Sequence, residues 1–172
     1  TTLFYRGFNM FANRRHNFES LESRRVLSAS PTVASVEVAS TSWDSDFIQY
    51  LQDENLGTNG YEITNDDPLP WNNIDKVMVT FSEDVIVEQS HLTLTGVNTQ
   101  QFDFSNFSYD ASTKTATWTL TSTVALDKVF IDLAGDGLNP IENSQGVDLD
   151  GDVNGTAGGD FELEVGMLPG DT

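Results

Sequence analysis

The chain has 172 residues, 38% apolar and 10% aromatic, enough for one packed domain with a tail. Charge is lopsided: 8 Lys and Arg against 27 Asp and Glu give a net −19, which excludes nucleic acid as a partner because a polyanion would be repelled. Cysteine is absent, excluding disulfides, thiolate metal sites and thiol nucleophiles, and no apolar run reaches the roughly 18 residues of a membrane helix, so no membrane span is expected.

Charge divides the chain. Arg6, Arg14, Arg15, Arg24 and Arg25 face only Glu19 and Glu22, so the first 25 residues carry +3 and the rest −22. A short basic start ahead of an acidic body has the organisation of a targeting segment ahead of an exported domain. It lacks the apolar core of a standard signal peptide. By pattern alone it reads as a short amphipathic helix or a disordered arm. Residues 1–30 are therefore set apart as an arm, 31–167 as the folded body and 168–172 as a linker.

The body reads as all-β. Thr32 to Ala39 alternates apolar with small or polar residues, as a half-buried first strand does. Ser42 to Gly57 breaks that pattern: Trp43, Phe47, Tyr50 and Leu51 fall at helical spacing, Ser42 or Asp44 caps the start, and Gly57 ends the helix. This helix is expected to cover an edge or end of the sheets. Asn65-Asp66-Asp67-Pro68-Leu69-Pro70 reads as a loop.

Strands follow over 74–81 (with Val77, Val79 and Phe81 on one face), 91–95, 102–109, 115–120, 129–133 and 161–165. The turn Asp110-Ala-Ser-Thr-Lys114 joins two of them as a hairpin. Seven short strands at regular spacing predict a two-sheet Ig-like β-sandwich. Trp118, Phe81, Phe130 and Phe161 are the large inward candidates, each contributing about 1.5–3 kcal/mol on burial.

Two resemblances add to this. Phe18 to Ala29, FESLESRRVLSA, is similar to the LE-x-R-x-L-L-S-A motif at the start of planctomycete surface and exported proteins. That similarity implies export and an extracellular or cell-surface location. Val79-Thr-Phe-Ser-Glu-Asp-Val85 resembles the strand and turn of bacterial Ig-like modules. Tyr109-Asp110-Ala111, Ala116 to Leu120 and Gly155 to Phe161 resemble later signatures of the version found near the ends of planctomycete surface proteins. Leu168-Pro-Gly-Asp-Thr172 resembles the opening of the dockerin-like calcium repeat that follows the module in that family. The resemblance implies a structural or adhesion module; the alternative is a carbohydrate-associated accessory module of a dockerin-containing polysaccharide-degrading system.

The sharpest chemistry lies in residues 146–160, an acidic, glycine-rich loop. Alternate side chains Asp148, Asp150, Asp152 and Asn154 place hard oxygen donors around one point, and calcium takes 6–8 such oxygens. With Asp150 as position one, Asp152 is three, Asn154 five, Gly155 six and the Thr156 carbonyl seven of an EF-hand loop. Position twelve falls on Phe161, where a bidentate acid is required, so a true EF-hand is not expected. Two readings stay open: a looser Ca2+ loop completed by Asp148 or Asp160, and a solvated acidic loop. Repulsion among the acids favours the cation. Magnesium fits less well, since it demands octahedral geometry and retains its waters.

The remaining chemistry is weaker. His16 lies in the arm and His91 begins a strand; two isolated histidines make neither a zinc site nor a triad, and His91 is expected as a surface or half-buried strand residue. Acid pairs such as Asp44/Asp46, Asp66/Asp67 and Glu83/Asp84 are numerous, as is expected by chance among 27 acids, and none is singled out as a glycosidase pair. Among the tryptophans, Trp71, which follows Leu-Pro, is the candidate for an exposed sugar platform, although a buried role is the favoured reading because tryptophan commonly buries most of its area. The expectation is a non-catalytic module whose partners are cell-surface or matrix components, polysaccharide among them.

Overall fold

The computed structural model describes residues 29–64, 68–69 and 73–168. Residues 1–28, 65–67, 70–72 (Trp71 among them) and 169–172 therefore lie outside the described residues.

In chain order the elements are β1 (Val33–Ala39), α1 (Ser45–Asp53), β2 (Tyr61–Glu62), β3 (Lys76–Phe81), β4 (Val85–Ile86), a 3-10 turn (Gln89–His91), β5 (Leu92–Gly96), β6 (Phe104–Asp110), β7 (Thr115–Leu120), β8 (Asp127–Leu133), β9 (Glu142–Asn143) and β10 (Phe161–Met167). All strand pairs are antiparallel. One sheet has the order β2-β1-β3-β7-β6, the second β10-β8-β5, and β4 pairs with β9. The seven longer strands, lettered A to G along the chain, thus divide into A-B-E-D and G-F-C. That is the strand order of a constant-type immunoglobulin sandwich.

Alternation explains the two layers. Val77, Val79 and Phe81 of β3 and Ala116, Trp118 and Leu120 of β7 are buried. Opposite them lie Leu92 and Leu94 of β5, Val129, Ile131 and Leu133 of β8, and Val165 and Met167 of β10. Trp118, the largest fully buried side chain, stacks obliquely on Phe107 at 5.1 Å. Its indole N–H is satisfied by the Gln89 carbonyl at 3.0 Å, as a buried donor requires. The 110–115 turn is as expected: Asp110 Oδ1 accepts from the Ser112 amide at 2.8 Å and the Ser112 hydroxyl at 2.6 Å.

Three sequence expectations are corrected. Phe130 points outward, 37% exposed. Within β8, Val129, Ile131 and Leu133 face in, and period two leaves position 130 on the other side. There the Lys128 ammonium lies 5.8 Å from its ring centroid and pairs with Glu164. His91 is buried at the end of the 3-10 turn rather than standing at the surface of a strand.

The helix is shorter than 42–57. Asp44 caps it by accepting from the Phe47 amide at 2.8 Å, and Asn55, not Gly57, closes it with φ +56°. The Leu56 amide reaches the Leu51 carbonyl at 2.8 Å and the Asn55 amide reaches Gln52 at 3.1 Å, a Schellman closure with asparagine in the left-handed position. Leu51 is buried, and Trp43 packs on the core and edge-on to Phe47 at 4.9 Å.

The register sets direction. Pro31 and Val33 lie at one end of the sandwich, with Phe81, Leu133 and Phe161. Ala39, Lys76, Asp127 and Met167 lie at the other. The body is therefore entered at one end and left at the opposite end. No helix among the described residues is long and apolar enough to cross a membrane.

Candidate metal loop at the 134–160 crossover

The long connection from β8 to β10 is built outward from two apolar plugs, Ile141 and Leu149, both fully buried. The Leu149 amide donates to Ile141 at 2.8 Å, and the Gly158 amide returns to Leu149 at 2.9 Å. A neck follows: the Gly151 amide donates to the Gly159 carbonyl at 3.1 Å. A Cβ at Gly151 would sit 2.4 Å from that oxygen, and one at Gly135 only 1.9 Å from it. Backbone approaches this closely only where side chains are missing. Beyond the neck, residues 152–157 form an exposed lobe.

Asp150 organises the lobe. It is 4% exposed, and its two oxygens accept from the Asn154 amide at 3.0 Å and the Gly155 amide at 2.9 Å. Asp152 Oδ1 reaches the same Asn154 amide at 3.3 Å, and its Oδ2 accepts from the Asn154 carboxamide at 2.8 Å. Asn154 Oδ1 in turn accepts from the Thr156 amide at 2.8 Å. Side chains spaced by two thus bend back, one after another, onto amides ahead of them. Val153, between them, holds φ +55° and Gly155 φ +85°; for a β-branched residue this conformation is an outlier.

The predicted donors separate into two groups. Asp150, Asp152, Asn154 and Thr156 are drawn together in one lobe. Asp160 is committed elsewhere: its Oδ1 accepts from the Gly135 amide at 2.8 Å and the Asp136 amide at 3.3 Å, fastening β10 to the end of β8. Asp148 lies in a bridge opposite Glu142. Among the described residues, no group of three or more His, Cys, Asp or Glu side chains could hold a metal ion. The lobe brings together two carboxylates and one carboxamide, whose oxygens accept from the lobe's own amides and from the Asn154 carboxamide.

Acid crowding is felt on the neighbouring sheet. Asp132 of β8 stands opposite Glu162. Burial first, then the charges of Asp160 and Glu162, push its carboxyl above the ordinary range.

Other buried polar groups hold loops. Burial works against the Asp127 carboxylate, but the amides of Asn98, Thr99 and Lys128 at 2.8–3.0 Å outweigh it and hold its pKa below the usual value. Glu37 accepts from the Thr58 and Asn59 amides at 2.8 and 2.9 Å. Tyr109 donates to Asp84 at 2.8 Å and accepts from the Val85 amide at 3.1 Å. Burial foremost pushes its phenol up to about 12. Sequence reading missed these anchors, because isolated acids on β1 and β8 carry no local spacing signal.

Comparison with family models, curated proteins and solved structures finds no match.

Proposed function

We propose that the chain is a non-catalytic Ig-like structural module of an exported or cell-surface protein, stabilised by calcium in the Asp150–Thr156 lobe. The observation that carries this reading is the placement of the lobe. The Asp150 amide donates to the Pro31 carbonyl at 2.9 Å, which puts the acidic lobe where the chain enters a sandwich that it leaves from the far end. A module threaded end to end transmits tension along its length. A cation at the point of entry would fasten the incoming segment to the core.

The oxygens of Asp150, Asp152 and Asn154, with the Thr156 carbonyl, would hold the ion. When bound only to the folded state, calcium supplies stability of RT ln(1 + [L]/Kd), about 2.7 kcal/mol at a hundredfold excess over Kd. The chain's own part is to preform the lobe: Asp150 gathers two amides, and the Gly151–Gly159 neck closes behind it. Asp160 serves the crossover's own hydrogen bonding.

Scanning calorimetry in calcium chloride and in chelator tests the reading. A Tm raised by calcium, and a gain abolished by Asp152→Asn, are expected; an identical Tm in both solutions contradicts it. The carbohydrate-associated alternative rests on Trp71, outside the described residues, and is tested by glycan binding lost in a folded Trp71→Ala variant.

A further inference from the structure

The sequence holds two Asn-Gly pairs, Asn59-Gly60 and Asn154-Gly155. Such pairs undergo ring closure because glycine leaves its nitrogen unshielded. The structure treats the two differently. Gly60 is buried, and a Cβ there would lie 2.4 Å from the Val38 carbonyl and 2.7 Å from Met78 Cε. That backbone has no room to rearrange into a succinimide. Gly155 is exposed, with nothing within 4 Å of a built Cβ.

At Asn154 the lobe also supplies the groups the reaction uses. Asp150 Oδ2 lies 2.9 Å from the Gly155 nitrogen, on the proton that must leave, within reach of a general base. The Thr156 amide donates to Asn154 Oδ1 at 2.8 Å, where negative charge develops when Cγ is attacked, the placement of an oxyanion donor.

We propose that Asn154 is a self-modifying residue, deamidated through a succinimide with Asp150 as base and the Thr156 amide as oxyanion donor. The Gly155 nitrogen bonds to Cγ and its proton passes to Asp150. The Cγ–Nδ2 bond then breaks, and the nitrogen leaves as ammonia with that proton. Water opens the ring to aspartate or isoaspartate. Aspartate puts a third carboxylate into the lobe. Isoaspartate lengthens the backbone by a methylene and draws Gly155 away from Asp150. The inference does not rest on the calcium reading, but it draws on the same Asp150 and Asn154 oxygens, so a bound ion would compete with the reaction and the test is run in chelator.

The test incubates the protein in chelator at mildly alkaline pH, folded and in urea. Chymotryptic peptides around Asn154 and Asn59 are then followed by mass and by isoaspartyl methylation. In the folded protein Asn154 converts about tenfold or more faster than Asn59, and no slower than in urea, where the two rates converge. An Asn154 rate lower in the folded protein than in urea, or an Asn59 rate equal to it in the folded protein, overturns the proposal.

Discussion

The Asp127 carboxylate grips the turn after β5 through the Asn98 amide at 2.9 Å and the Thr99 amide at 3.0 Å. Gly96 is packed so close that a Cβ there would lie 2.5 Å from Asp127 Oδ2. This end of the sandwich, where the chain leaves, is thus closed by a charge held in backbone amides.

Acid stability follows from that grip. The folded-state pKa of Asp127 is depressed, so its contribution is present above the unfolded carboxylate value and is lost as pH falls through the folded one. Asp127→Ala is expected to lower stability at neutral pH by about 1.5–3 kcal/mol, the worth of hydrogen bonds to a charged acceptor. The penalty shrinks below about pH 3. Urea unfolding at pH 7 and at about pH 2 measures both; a penalty that does not change with pH contradicts the assignment.

His91 acts in a different window. Its Nδ1 accepts from the Glu88 amide at 3.0 Å, and the Asn139 carboxamide lies 2.7 Å from Nε2. Burial depresses its pKa, while the Glu88 charge opposes this. The unfolded chain therefore takes up the proton first, and stability declines as pH falls below 6.5. His91→Gln is expected to flatten the stability profile between pH 7 and pH 5 even though it lowers the value at pH 7. An unchanged slope contradicts this.

Asp132 has the opposite sign. Its raised pKa means that ionisation costs the folded state, and like charges directly opposite on adjacent strands destabilise a sheet. Asp132→Asn should raise the Tm at pH 7 and leave it unchanged below about pH 3, where the Asp132 carboxyl, its pKa raised, is protonated. A Tm lowered at pH 7 would show that Asp132 makes a favourable contact.

Val153 holds a left-handed conformation at 65% exposure, so it has strain to release and little packing to lose. Left-handed backbone costs an L-residue about 1–2 kcal/mol, and asparagine tolerates it best among residues with side chains. Val153→Asn is expected to stabilise by about 1 kcal/mol in urea unfolding. A destabilised variant would contradict the strain assignment.

The sequence was most informative where one face is buried. Alternation marks β7, and Val77, Val79 and Phe81 of β3, spaced by two, lie in the core with Trp118 as expected. It was least informative where apolar residues run consecutively. Val129-Phe130-Ile131 fits either parity, and only the register of β8 between β5 and β10 sends Phe130 outward. Two-residue strands such as β2, β4 and β9 are too short to show a period. Glycine marks chain reversal by type, yet the helix ended two residues earlier, because asparagine at 55 also accepts the left-handed turn. In the acidic loop, spacing by two foretold the grouping of Asp150, Asp152 and Asn154. The commitment of Asp160 to Gly135 depends on a residue 25 positions away, which no local pattern encodes.

The central claim is tested most directly by diffraction from crystals grown in millimolar calcium chloride. The account predicts an ion bonded to oxygens of Asp150, Asp152, Asn154 and Thr156 at about 2.3–2.6 Å. Clean density for the lobe with no ion among those oxygens would contradict it.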